Sequence, residues 1–162
     1  MIAVVIEDAG WRALLPDVEA LVSAAAEASL AALDDAPDGE IVVLLTNDET
    51  VRDLNARFRG KDRPTNVLSF PSAPAPGGPL GDIALALGVC QAEARAQAKP
   101  LADHLQHLVA HGVLHLVGWD HEDEAEAEAM EGLERRVLAG LGVPDPYAGE
   151  RAPGPVDGGG DD

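Results

Sequence analysis

The sequence predicts an α/β protein, an α+β sandwich in a single domain, with a mixed four-stranded sheet packed by about five helices. Three observations predict it. The chain has 162 residues, a one-domain length that can bury a sizeable core. Four short aliphatic runs are interleaved with longer stretches of helical pattern. A central helix carrying regularly spaced histidines leads into a glycine turn, which places a metal site on that helix and the turn after it.

Taken in order, residues 2–6 (IAVVI) read as a buried strand. Pro16 and Asp17 open a helix to about Leu33, with proline in its first turn and strong alanine propensity after it. DDAPDG at 34–39 is a turn, and 41–45 a second strand. Thr46 or Asn47 caps a short helix through Phe58. Residues 65–70 form a third strand. PSAPAPGGP at 71–79 holds too much proline and glycine for regular structure and reads as a flexible loop near the site. Residues 82–86 form a fourth strand, and 89–99 a helix that stops before Pro100. The central helix covers 101–117, buried through Leu105, Leu108, Val109 and Leu116, with its histidine stripe facing a cleft. An amphipathic helix over 122–139 turns Met130, Leu133 and Val137 inward. The domain ends near 147. Residues 148–162, acidic and glycine-rich, read as a disordered tail.

Composition narrows the function. No apolar run approaches the roughly 20 residues that cross a bilayer. MIAVVIEDAGW lacks the basic start of a signal peptide. Cys90 is the one cysteine, which excludes an intramolecular disulfide, fits a reducing cytosol and reads as a small buried hydrophobe. Cytoplasmic location is the expectation. The net charge of −18 sits awkwardly with an anionic partner. Its distribution matters more: Arg52, Arg57, Arg59, Lys61 and Arg63 form a local basic strip, while six acids crowd residues 122–131.

The chemistry concentrates in HGVLHLVGWDH at 111–121. His111 and His115 lie one helical turn apart on one face. Gly118 lets the chain leave the helix, so His121 can fold back toward them. Three imidazoles suit Zn²⁺ and leave a fourth position for water, the arrangement of catalytic sites, although imidazole also suits nickel and copper. The spacing matches metzincin proteases, but Gly112 stands where they place their glutamate base. His104 and His107 continue the stripe and read as structural or as partners of the ligands. The residues alone therefore indicate a hydrolytic three-histidine metalloenzyme with an anionic substrate.

HGVLHLVGWDH, LGDIAL at 80–85 and LNARFRGKDRPTNVLSFP at 54–71, with the acidic helix after His121, resemble the YbeY endoribonucleases, bacterial rRNA maturation factors. The resemblance covers most of residues 1–143. It implies a single-strand-specific, metal-dependent endoribonuclease acting in 16S rRNA 3′-end maturation and ribosome quality control, with the small ribosomal subunit and its proteins as partners. It implies one zinc per chain on His111, His115 and His121, and a functional arginine at Arg59. The family commonly has Asp where this chain has Asn66, and Tyr where it has Trp119.

In that chemistry Arg59 pairs with a phosphate while Lys61 and Arg63 steer the RNA backbone. Asp82 and Asp120 are the candidate bases; a turn or a hydrogen bond to a ligand histidine suits Asp82 equally well and suits Asp120 somewhat better than catalysis. The nucleophile is water or the RNA's own 2′-hydroxyl. With five aromatics in the chain, base stacking is a weak route to recognition, and Trp119 reads as core. Two other readings compete: a zinc peptidase with a base from elsewhere, and a non-catalytic ribosome-assembly factor whose metal is structural, with His107 or Asp120 as fourth ligand.

Overall fold

A computed structural model describes residues 1–73, 75–119 and 122–147. Ten elements follow one another among them: β1 (Ile2–Ile6), α1 (Gly10–Leu14), α2 (Val18–Ala31), β2 (Ile41–Thr46), α3 (Asp48–Arg59), β3 (Val67–Pro71), β4 (Gly81–Ala86), α4 (Leu87–Ala96), α5 (Leu101–Leu116) and α6 (Glu124–Gly140). The sheet runs β1-β2-β4-β3. β1, β2 and β4 are parallel, and β3 is an antiparallel edge strand with Ser69 opposite Ile83. The expected mixed four-stranded sheet is present. The helices number six rather than about five among the described residues.

The added helix is α1, too short for a periodic signal. Trp11 holds it, fully buried and donating its indole N–H to the Thr46 carbonyl at 2.9 Å. Elsewhere the differences are at boundaries. Asn47 caps α3, its side chain accepting the Thr50 N–H at 2.7 Å. α4 begins directly at the end of β4, two residues earlier than its pattern suggests, with no capping side chain of its own. The cap comes from α3, where Asp48 accepts the Val89 N–H at 3.1 Å. α4 also stops at Ala96, because Ala98 takes a left-handed conformation with φ 55°. The described residues of 72–80 contain no helix or strand; the tail at 148–162 lies outside the described residues.

Alternation along the strands sorts the core onto two faces. Val43, Leu45, Ile83 and Leu85 pack with Trp11, Val18, Val22, Leu105, Val109 and Val113, under α2 and α5. Leu68, Ala84 and Ala86 pack with Val51 beneath α3 on the other face. Cys90 is fully buried, as its reading required. No helix among the described residues is long and apolar enough to cross a membrane.

α5 sits very close to the sheet at Gly112. A Cβ there would lie 3.1 Å from Ile83 Cδ1 and 3.2 Å from Ser69 Oγ. The Ser69 hydroxyl donates to the Gly112 carbonyl at 3.3 Å, fastening helix to edge strand. Gln106 donates to the Leu21 carbonyl at 2.9 Å and fixes the other side of α5 to α2. Position 112 thus faces packed sheet. Gly112→Glu is expected to cost at least about 3 kcal/mol, from overpacking plus a buried unpaired charge. Denaturant unfolding measures this, and a loss under about 1 kcal/mol would show that the helix can lift off the sheet.

Candidate metal centre and its surroundings

With Gly112 turned to the sheet, the histidines of α5 fall on its outer flank, His104 buried and His107, His111 and His115 partly buried. His104 and His107 are largely buried against carboxylates of neighbouring helices. His104 Nε2 meets Glu93 Oε1 of α4 at 2.8 Å. Asn66 donates its side-chain amide to the same oxygen at 3.0 Å. Burial alone would raise the Glu93 carboxyl, but the hydrogen bonds from His104 and Asn66 prevail and lower it. His104 is therefore a structural link between α4 and α5. The same contact explains Asn66. An aspartate at this position would face Glu93 with like charge, whereas the asparagine donates to it.

His111 and His115 stand one turn apart with ring centroids 4.6 Å apart and planes at 81°. The helix ends as the glycine predicted. Gly118 has φ 104°, and the Trp119 N–H reaches back to the Leu114 carbonyl at 2.9 Å. Trp119 packs on Leu114, Met130 and Leu133, in agreement with a core role. His121 and Asp120, the expected third ligand and one candidate base, lie outside the described residues. Among the described residues, no three His, Cys, Asp or Glu side chains could hold a metal ion.

Glu134 of α6 was not anticipated. It is 1 % exposed and sits on the same inward face as Met130, Leu133 and Val137. Its Oε2 lies 2.9 Å from His111 Nδ1. Its Oε1 lies 2.9 Å from His107 Nε2 and 2.5 Å from the Tyr147 hydroxyl. Burial would raise this carboxyl, yet the hydrogen bonds from the two histidines outweigh it and hold it far below the usual range. An ionised carboxylate only accepts, so each ring nitrogen facing it carries a proton. His111 is thereby fixed with its proton on Nδ1 and its lone pair on Nε2. The Nε2 atoms of both His111 and His115 are buried. This donor set fits zinc: one imidazole has its tautomer locked by a carboxylate, and its neighbour is one turn away. A signal for Glu134 was present in the sequence, since a glutamate flanked by Leu133 and Val137 on an apolar stripe must be paired if buried.

The basic strip is partly neutralised. Arg52 pairs with Asp62 at 2.8 Å and Arg57 with Asp53 at 3.3 Å, all well exposed. Arg59 ends α3 just before Gly60, whose left-handed φ of 71° turns the chain. Its guanidinium donates to the Ser69 carbonyl at 2.5 Å and lies over the Phe70 ring, 5.5 Å from its centroid. Phe58, 63 % exposed, meets Phe70 edge-on at 5.7 Å. Ser69 therefore touches Arg59 through its carbonyl and Gly112, the neighbour of His111, through its hydroxyl. Asp82 is exposed, pairs in register with Phe70 and alternates with Ile83, so it lies on the α3 side of the sheet. The structure groups Arg59, Phe70 and Asp82 around the β3 edge and separates Asp82 from the face that carries α5.

Burial pushes the His107 pKa down, with Glu134 opposing, and Glu134 is itself lowered. Both shifts carry one sign. The unfolded chain takes up a proton first, near 6.5 for the histidine and near 4.5 for the carboxylate, so folding stability is lost as pH falls. Chelator-treated protein should show an unfolding free energy that declines from about pH 7 to about pH 4, and Glu134→Gln should flatten the lower part of that decline. A flat wild-type profile in denaturant titrations would contradict the network.

This chain is similar to known proteins. The profile of the family described as Endoribonuclease YbeY matches residues 7–142. A protein of Azorhizobium caulinodans named Endoribonuclease YbeY is 54 % identical over 153 residues, spanning 91 % of this chain and 96 % of that protein. One of the same name from Cereibacter sphaeroides is 48 % identical, spanning 91 % and 98 %. The solution structure of a Thermotoga maritima protein superposes with a TM-score of 0.54 at 26 % identity, covering 96 % of this chain and all of that one. On the extent and identity of these matches, the chain belongs to the endoribonuclease YbeY family.

Proposed function

We propose that this protein is a single-strand-specific, zinc-dependent endoribonuclease acting in 16S rRNA 3′-end maturation and ribosome quality control, with one zinc per chain and the small ribosomal subunit as partner. Family membership supports the reaction class. The observation that carries the site is Ser69, which joins Arg59 to the helix bearing His111 and His115. A cation and a pair of imidazoles thus flank one edge strand. Neither competing reading draws comparable support. Position 112 has no room for the glutamate of a metzincin-like peptidase.

His111, His115 and His121 would hold the ion, which when bound supplies Lewis acidity toward a phosphoryl oxygen. Arg59 spends one of its five N–H donors on Ser69 and keeps its plane fixed over Phe70, which orients the guanidinium for a phosphate. Lys61 and Arg63 follow Gly60 and carry the backbone past it. Asp82, on the far face, acts at the β3 edge beside Phe70 rather than as a base at the histidines. The nucleophile is water or the 2′-hydroxyl, and Asp120 is the remaining base candidate on the histidine turn.

His111→Ala should lose stoichiometric zinc together with cleavage of a single-stranded RNA. Arg59→Glu should keep zinc and lose cleavage by about 100-fold. Metal analysis and gel-based cleavage read both; full zinc in the first variant, or normal cleavage in the second, sinks the assignment. Arg52 and Arg57 are engaged by carboxylates, and in this reading Arg59, Lys61 and Arg63 are the side chains that turn to phosphate when RNA binds. Binding to single-stranded RNA should then weaken with salt at a log–log slope of roughly −2. A slope near about −3.5 in a filter-binding titration would mean that all five cations of the strip contact RNA.

A further inference from the structure

Two carboxylates, Glu134 buried and Glu93 partly buried, meet histidines of α5, and only Glu134 meets an expected metal ligand. Glu93 pairs with His104, away from the His111–His115 pair. Glu134 pairs with His111 itself. Both Glu134 oxygens are occupied, and its partners come from different parts of the chain: His111 and His107 of α5 and Tyr147 beyond α6. Tyr147 is itself held. Arg135 lies over its ring at 5.4 Å from the centroid and bonds Asp145, which accepts the Tyr147 N–H at 2.8 Å.

Packing does not require this charge. Met130, Leu133 and Val137 already bury α6, and an apolar residue among them would avoid the desolvation of a carboxylate. What a carboxylate does there, and an apolar side chain cannot, is hold one ring proton of His111 on Nδ1 and fix the plane of the imidazole. We propose that Glu134 is the positioning residue of the metal centre, setting the tautomer and orientation of His111, and that Tyr147 and His107 hold Glu134 in place. Tyr147, beyond α6, thereby tunes zinc affinity. The inference rests on the zinc reading above.

The test measures zinc affinity of the full chain by competition with a chromophoric chelator, with far-UV circular dichroism as the check on folding. Glu134→Gln keeps the shape of the side chain and should bind zinc about 10- to 100-fold more weakly. Tyr147→Phe removes a single hydroxyl and should weaken zinc about fivefold. Glu93→Gln disrupts the sister pair and should leave affinity within about twofold of wild type, which separates positioning from general loosening of the helices. Wild-type affinity in Glu134→Gln overturns the proposal, as does an equal loss in Glu93→Gln. Should Glu134→Gln fail to fold, Tyr147→Phe decides: a graded loss sustains the proposal and unchanged affinity ends it. A wild-type protein that binds no zinc overturns the zinc reading and this inference together, which distinguishes that failure from one confined to Glu134.

Discussion

The close seat of α5 on the sheet at Gly112 is the constraint on which the rest depends. With no side chain at that position, the helix backbone comes within contact distance of Ile83 and Ser69. That approach fixes the rotation of α5 about its own axis. Once one residue must face the sheet, the 3.6-residue period dictates the direction of every other. Leu105, Val109 and Val113 go into the main core. His104, His107, His111 and His115 go to the flank, where α4 reaches His104 with Glu93 and α6 reaches His107 and His111 with Glu134. The glycine that departs from the protease pattern is therefore a packing element, and the difference in chemistry follows from the difference in packing.

The flank is an electrostatic arrangement more than a hydrophobic one. Four imidazoles on one side of a buried helix each need partners for a donor and an acceptor. Two carboxylates meet much of that need, and they do so differently. Glu93 shares one oxygen between His104 and Asn66, closing a link between helices and the start of β3. Glu134 uses both oxygens and ends on a prospective ligand. Such pairs stabilise little beyond their own desolvation, so their value lies in fixing geometry. On the outside, the acidic surplus of the chain reaches even the basic strip, where Asp53 and Asp62 offset Arg57 and Arg52. Arg59 itself lies over Phe70 of the edge strand, which Phe58 of α3 meets edge-on.

Most of the fold was legible because its signals are local. Aliphatic runs marked the four strands, Asn47 marked the start of α3, and Gly118 marked the end of α5. The misses have a common physical cause: their determinants sit elsewhere in the chain. α1 exists because Trp11 finds a buried acceptor on β2. α4 starts early because Asp48 caps it from α3. The histidines share one stripe of α5, as their spacing predicts, while the neighbouring helices decide which of them meet carboxylates.

The sequence by itself determined the elements, the His111–His115 pair and its glycine exit, because helical spacing and backbone conformation are properties of neighbours in the chain. Only the tertiary structure decided which histidine a carboxylate would lock, that Asp82 would stand on the far face of the sheet, and that two of the strip's cations would be paired. Those outcomes depend on residues tens of positions apart meeting at distances near 3 Å. No local pattern encodes such meetings; packing of α5 between the sheet, α4 and α6 brings them about.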